Sequence, residues 1–335
     1  MNDASSQQLI VVGASAGGVG ALLAIAAGLP PDFAAPILVV LHTGAHRSLL
    51  PELISSRGPN AAVTARDGDV PRSGTFHVAP PDHHLLLEGG ALRLWRGPKE
   101  NHARPAIDPL FRSAALACGP RVVGVILTGL LDDGSAGLRA VKDCGGIAVV
   151  QDPADAFEPG MPTSALASVE ADHVVPLSQM AELLCALAQP RRPAPPVAAP
   201  DALRHEHEAS FGATDMKALK TIGSPSTFTC PDCGGTLFEL HDQRPVRFRC
   251  HTGHAYSLRS LASMQEQVTE DALWASLRAL QEKEAILRRM ARMQAAQSPG
   301  SEGQALKEAA GLVQVIEALR ALTQGAPSNR IDVAS

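Results

Sequence analysis

Leu9-Ile10-Val11-Val12-Gly13-Ala14-Ser15-Ala16-Gly17-Gly18 is the stretch that decides how the first half of this chain folds. Four consecutive apolar residues, three of them β-branched, read as a short strand buried on both faces. The glycines end the run, and residues 18–27 follow with a helical pattern. Strand, tight turn and helix therefore meet at Ser15. A serine on such a turn is held out at the carboxyl end of a sheet. The next backbone N–H groups and the helix N-terminus point at whatever it attacks, which is the logic of a nucleophile elbow. A dinucleotide-binding turn is the competing reading, but G-x-G-x-x-G needs glycine where Ser15 stands.

Working outward, apolar runs recur at 36–41, 122–127, 147–150 and 173–175, separated by helical patterns at 49–56, 109–118, 135–144 and 179–188. Continuous apolar strands alternating with helices predict an α/β fold with a doubly wound, mostly parallel sheet. Residues 76–79, 85–88 and 92–95 read as short antiparallel strands, with Gly89-Gly90 as a hairpin turn, so a β-hairpin excursion interrupts the parallel pattern. Pro190 to Pro200 (PRRPAPPVAAP) marks a linker, and residues 201–226 read as polar and irregular. The predicted organisation is a catalytic domain over 1–189, a linker over 190–226, a Cys/His module over 227–257 and a helical hairpin over 258–325.

The chain has 335 residues, 45 % of them hydrophobic but only 3 % aromatic, so small aliphatic side chains must build the core. A formal net charge of −5 argues against a basic nucleic-acid-binding surface. No apolar stretch reaches membrane-spanning length, and no secretory leader is legible, so no membrane insertion is expected. Scattered cysteines outside one tight motif fit a reducing compartment, hence a cytoplasmic protein.

His42 closes the second strand, and Asp133 follows the strand at 122–127. Ser15, His42 and Asp133 thus all fall at carboxyl ends of strands, which share one rim in an open parallel sheet. The set matches a chemical need. A serine hydroxyl is a weak nucleophile until histidine takes its proton, and a carboxylate fixes the histidine tautomer. His77, His83 and His102 have no assignable role.

A second motif is Cys230-Pro-Asp-Cys233-Gly-Gly followed by Cys250-His-Thr-Gly-His254. Two knuckles separated by 16 residues have zinc-ribbon spacing, and Cys230, Cys233, Cys250 and His254 would close a tetrahedral shell around a structural zinc. His251 is an alternative fourth ligand. The helices beyond it carry apolar stripes, which suggest a docking or self-associating element.

The stretches GASAGG (13–18), VLH (40–42), RPAIDPLFRSAA (104–115), VGVILTGLLDDGSAG (123–137) and QDPADAFEPGMP (151–162), in that order, resemble the catalytic domain of CheB, the protein-glutamate methylesterase of bacterial chemotaxis. The likeness covers residues 9–188. It implies that Ser15, His42 and Asp133 form the triad, and that the backbone amides of Ala16 and Leu130 form the oxyanion hole. It also implies that Arg104 contacts substrate and that His84 is structural. The implied substrate is the γ-glutamyl methyl ester of a methyl-accepting chemoreceptor, with glutamine deamidation as a second reaction and no cofactor in catalysis. A non-catalytic receptor-binding adaptor of the same fold is the alternative. Two departures stand out. The catalytic pattern starts at the first strand, so no receiver domain is expected ahead of it. Leu130 and Leu131 also stand where family members often read Met-Gly.

Overall fold

A computed structural model describes residues 7–42, 48–189, 197–211, 216–298 and 300–325. These fall into two compact units, Met1–Leu261 and Ala262–Ser335. In the first unit the chain runs β1 (Leu9–Ala14), α1 (Gly18–Gly28), β2 (Ile37–Leu41), α2 (Leu50–Arg57), β3 (Ala61–Thr64), β4 (Thr75–Val78), β5 (His84–Glu88), β6 (Ala91–Trp95) and α3 (Ile107–Cys118). It continues through β7 (Val122–Ile126), α4 (Ser135–Asp143), β8 (Ile147–Gln151), α5 (Gly160–Ser168), β9 (His173–Val175) and α6 (Leu177–Leu187).

Among the described residues, the central sheet has seven strands in the order β3-β4-β2-β1-β7-β8-β9, and every pairing in it is parallel. Successive side chains of a strand point to opposite faces. Val11, Leu38 and Val40 accordingly meet Ile107, Phe111 and Leu138 on one side. Ile10, Val12 and Val39 meet Leu22, Ile25 and Leu184 on the other. Strands buried on both faces explain why their sequences are continuously apolar. The chain leaves β1 toward β2 on one side and returns to β7 on the other. The strand order therefore reverses beside β1, where ligands of such sheets bind.

The strand expected at 76–79 is β4, but it pairs parallel with β2, Ile37 against Phe76, instead of antiparallel. A further parallel edge strand, β3, lies beyond it. Four-residue strands carry no mark of their partner's direction, so composition could not settle it. The excursion is confined to β5 and β6, which form a two-stranded antiparallel sheet around Gly89-Gly90. Helix α5 was not expected. Its sequence GMPTSALAS buries Met161, Pro162, Ser164, Ala165 and Ser168, so it shows no polar–apolar period.

Residues 190–196 of the expected linker lie outside the described residues. Residues 212–215 also lie outside the described residues, and the described part of 201–226, expected irregular, instead holds α7 (Asp201–Ala209), α8 (Met216–Ile222) and the start of β10 (Gly223–Thr229). The polar composition concealed a buried acid. Glu206 on α7 accepts from Arg112 of α3 and from Arg249 and Arg247 farther along. Burial pushes the Glu206 carboxyl up, but these guanidinium groups outweigh it and hold it at about 2. Glu100 sits in the same cluster between Arg112 and Arg249.

β10, β11 (Thr236–Gln243), β12 (Val246–Cys250) and β13 (Ala255–Ser257) form a four-stranded antiparallel sheet within the first unit. α9 (Leu258–Gln297) begins there and runs into the second unit, which also holds α10 (Gly303–Gly325). Within that unit Lys283 of α9 pairs with Glu308 of α10, as a helical hairpin requires.

Candidate active site

β1, β2 and the segment after β7 deliver three side chains to one rim. Ser15 follows β1, its N–H bonded to the Thr128 carbonyl at 3.0 Å. Gly17 then turns the chain into α1 with φ 78°, a left-handed value that glycine adopts at little cost. His42 follows β2 and is tied by its N–H to the Ala14 carbonyl. Gly129 lets the segment after β7 approach closely, since a Cβ there would lie 2.1 Å from Met161 Sδ and 2.9 Å from Ser15 Cβ.

His42 Nδ1 lies 3.2 Å from Ser15 Oγ, and His42 Nε2 lies 2.7 Å from Asp133 Oδ2. The carboxylate accepts, so Nε2 carries the proton and Nδ1 is left as acceptor for the serine hydroxyl. Asp133 is 4 % exposed at the side chain and His42 22 %, so the acid is sealed while the base faces the cleft. Asp133 also accepts from the amides of Ile107 (2.7 Å), Asp108 (3.3 Å) and Gly134 (3.0 Å) and from Asn101 Nδ2 (2.9 Å). The first two are the opening amides of α3, where a carboxylate is favoured. Burial pushes the Asp133 carboxyl up, yet His42 and these donors outweigh it and hold it below its ordinary value.

Asp132, its neighbour, turns the other way and accepts from Ser257 Oγ at 2.6 Å. Burial raises its carboxyl to about 6, against the opposing Ser257 hydrogen bond. Asp108 is also driven well up, first by burial and then by the charge of Asp133. Asn101 bridges the two acids, donating to both. Asp108 lies inside the RPAIDP stretch that carries the family resemblance, although the sequence assigns it no role of its own. Asn101 does not stand out: it is a single polar residue ahead of that stretch, and no spacing rule selects it.

The amides of Ala16 and Leu130 take no intramolecular hydrogen bond among the described residues, as an oxyanion hole requires. Beside His42 opens a cavity of about 480 Å³ lined by Asp82, Lys99, Asn101, His102 and Arg104. Arg104 thus borders the cleft, with its guanidinium also paired to Asp82 and donating to the Gly97 carbonyl. His84 is buried, donates through Nε2 to the Pro98 carbonyl and accepts through Nδ1 from Ala106 N–H, which satisfies a neutral ring. Phe157, Leu130 and Leu131 are exposed apolar residues on the surrounding loops.

In the Cys/His module, Gly234 and Gly253 adopt φ 71° and 99°, which lets the two turns close tightly. Cys230, Cys233, Cys250 and His254 offer ligand atoms within 4.8 Å of one another. Zinc at about 2.3 Å from sulfur and 2.0 Å from nitrogen sets tetrahedral edges of about 3.8 and 3.5 Å. Cys233 Sγ to Cys250 Sγ is 3.7 Å, and His254 Nδ1 lies 3.7 and 3.5 Å from Cys230 and Cys250. The four residues fit such an ion. His251 packs beside Gly235 and is not in this group.

A family model described as CheB methylesterase matches residues 10–184. The chain belongs to the CheB methylesterase family. A putative protein-glutamate methylesterase/protein-glutamine glutaminase from Leptospira interrogans is 39 % identical over 184 residues, covering 54 % of this chain and 95 % of that protein. Protein-glutamate methylesterase/protein-glutamine glutaminase 2 of Anaeromyxobacter dehalogenans is 40 % identical over 182 residues, 54 % of this chain and 53 % of that one. The crystal structure of the Thermotoga maritima CheB methylesterase catalytic domain superposes with TM-score 0.52 at 34 % identity, covering 54 % of this chain and 99 % of that domain. The CheB likeness thus ends before α7, and the Cys/His module lies outside it. No helix among the described residues is long and apolar enough to cross a membrane.

Proposed function

We propose that this chain is a cytoplasmic serine esterase that hydrolyses γ-glutamyl methyl esters on a methyl-accepting chemoreceptor or a similarly methylated protein. The observation that carries the reading is the unbroken chain from Ser15 Oγ through the His42 ring to Asp133, with a cavity opening beside His42. His42 Nδ1 takes the hydroxyl proton as Ser15 Oγ adds to the ester carbonyl. Negative charge gathers on the carbonyl oxygen, toward which the Ala16 and Leu130 amides are free to donate. Collapse expels methoxide, which takes the proton from His42 and leaves as methanol. Water then adds to the glutamyl ester of Ser15, again losing its proton to His42, and glutamate is released. A glutamine side chain would follow the same steps with ammonia as leaving group, in keeping with the double name of the relatives.

The exposed Leu130, Leu131 and Phe157 suit a protein surface as substrate better than a free small ester. Arg104 would border the bound segment, with Asp82 tempering its charge. Zinc in the Cys230, Cys233, Cys250 and His254 cluster would be structural, since four protein ligands leave no position for water. Trp274, Ile286, Met293 and Leu322 are exposed on the two C-terminal helices and support docking or self-association by that unit. The deciding experiment is methanol release from methylated receptor by the wild type and Ser15→Ala. Release that collapses in the variant upholds the esterase. No release by either, with receptor binding intact, replaces it by the adaptor.

A further inference from the structure

The Cys/His module is not a separate bead. Its last strand, β13, pairs with the loop that precedes α3: Asn101 N–H donates to the Ala255 carbonyl at 2.8 Å, and Ala255 N–H donates to the Lys99 carbonyl at 3.2 Å. Residues 99–101 thus act as an added edge of the module's sheet. Asn101 and His102 hold φ 50° and 60°, a region non-glycine residues seldom occupy unless contacts hold them there. Glu100, just before them, is clamped by the wholly buried Arg249, the residue before Cys250.

Three residues just past the cluster, Ser257, Arg259 and Ser260, then reach the catalytic rim. Ser257 N–H and Ser260 Oγ both donate to Asn101 Oδ1 at 2.9 Å, while Asn101 Nδ2 donates to Asp133. Ser257 Oγ donates to Asp132. Arg259 donates to Ser164 Oγ, whose own proton goes to the Leu131 carbonyl, next to the Leu130 amide. The segment after β7 that carries Leu130 and Asp133 is therefore held by Ser257, Arg259 and Ser260 directly at Asp132, through Asn101 at Asp133 and through Ser164 at Leu131. The Asn101 amide has one consistent orientation, because its acceptor side meets two donors and its donor side meets two carboxyl groups.

We propose that the Cys/His module is a positioning element of this active site: through Ser257 and Ser260 it holds Asn101, and Asn101 holds the Asp133 carboxylate that orients His42. This rests on the esterase reading above. A metal in the four-residue cluster would then act on catalysis at a distance, by fixing the strand that carries Ser257, and removing it would slow ester hydrolysis. Asn101, Ser257 and Ser260 are positioning residues and need not touch substrate.

The test uses the full chain with Ser257→Ala, Ser260→Ala, their double variant and Asn101→Leu, and also the wild type stripped of metal by a chelator and reloaded with Zn²⁺. Bound metal per chain, melting temperature, the pH profile of kcat/KM for methanol release, and the proton NMR signal of the hydrogen between His42 Nε2 and Asp133 are read for each. The expected result is a fall in kcat of about tenfold or more with little change in KM for the double serine variant. The acid limb of the pH profile shifts and the His42 proton signal moves, while the variant still binds metal and stays folded. Stripping metal should move the same proton signal, and Zn²⁺ should restore it. An unshifted limb and an unmoved signal in every folded variant would reduce the module to a stabilising cap and overturn the proposal. If the wild type releases no methanol, the esterase reading fails instead, and the NMR signal still decides the linkage.

Discussion

The amide nitrogen of Ile107 lies 2.7 Å from Asp133 Oδ2, the same oxygen that accepts from His42. The opening turn of α3 therefore fixes the acid that fixes the base. Replacing the acid by its amide keeps the shape but not the acceptor count. In Asp133→Asn one carbonyl oxygen must serve donors that two carboxylate oxygens now serve, and the new NH₂ favours the wrong His42 tautomer. The expected outcome is a loss of kcat of about 10³–10⁴-fold, as in other triads, with the chain still folded. Methanol release and a thermal melt on one preparation check both halves.

Asp132 gives a pH-dependent stability of defined sign. Its folded value of about 6 lies above the ordinary carboxylate value. Its contribution is therefore present below pH of about 4 and lost as pH rises through about 6. Asp132→Asn removes that loss while keeping a carbonyl for Ser257 Oγ. The variant should be more stable than the wild type by about 2–3 kcal/mol above pH 7 and nearly equal to it at pH 4. Urea unfolding at the two pH values measures this. An equal difference at both would show that Asp132 is not the titrating group.

Gly129→Ala should separate geometry from stability. The added methyl meets Met161 Sδ and Ser15 Cβ, so the nucleophile must shift by a few tenths of an ångström or more. A displacement of that kind costs about 10²-fold in rate when the near-attack geometry is lost. Met161→Ala in the same chain makes room and should return part of the activity. Failure of the second change to help would place the damage elsewhere.

Glu206 tests the buried ion cluster. Its carboxyl, held at about 2, contributes stability above the ordinary carboxylate range, and that contribution is lost as pH falls through the range toward 2. Glu206→Gln leaves Arg247, Arg249 and Arg112 short of a charge and should cost about 3 kcal/mol at pH 7. The cost should shrink at pH 3, where the wild-type acid takes up protons in the unfolded chain. Denaturant midpoints at both pH values read the difference.

Much of this was legible in the residues. Ser15, His42 and Asp133 were findable because strand ends in a parallel sheet share a rim, and the Cys/His quartet because knuckle spacing is set by a metal's size. β3 and the parallel pairing of β4 were not legible, since a four-residue strand says nothing of its neighbour. α5 and α7 hid for opposite reasons: one is apolar on nearly every side, and the other is polar with a single buried acid. Asn101 could not be picked out at all. Its partners are Asp133 and Ser257, far along the chain, and such a contact leaves no period in the sequence.

The hydrogen bonds from Ser257 and Ser260 to Asn101 also impose an order in time. A ribosome making this chain has finished Ser15, His42 and Asp133 long before it reaches the residues that hold Asn101 from the far side. Until residue 260 has emerged, Asn101 lacks the two donors on its oxygen, whatever the earlier part has folded into. The last touch on the catalytic rim is thus among the later things synthesised, so a prematurely ended chain would carry every residue of the triad and still lack the clasp around it.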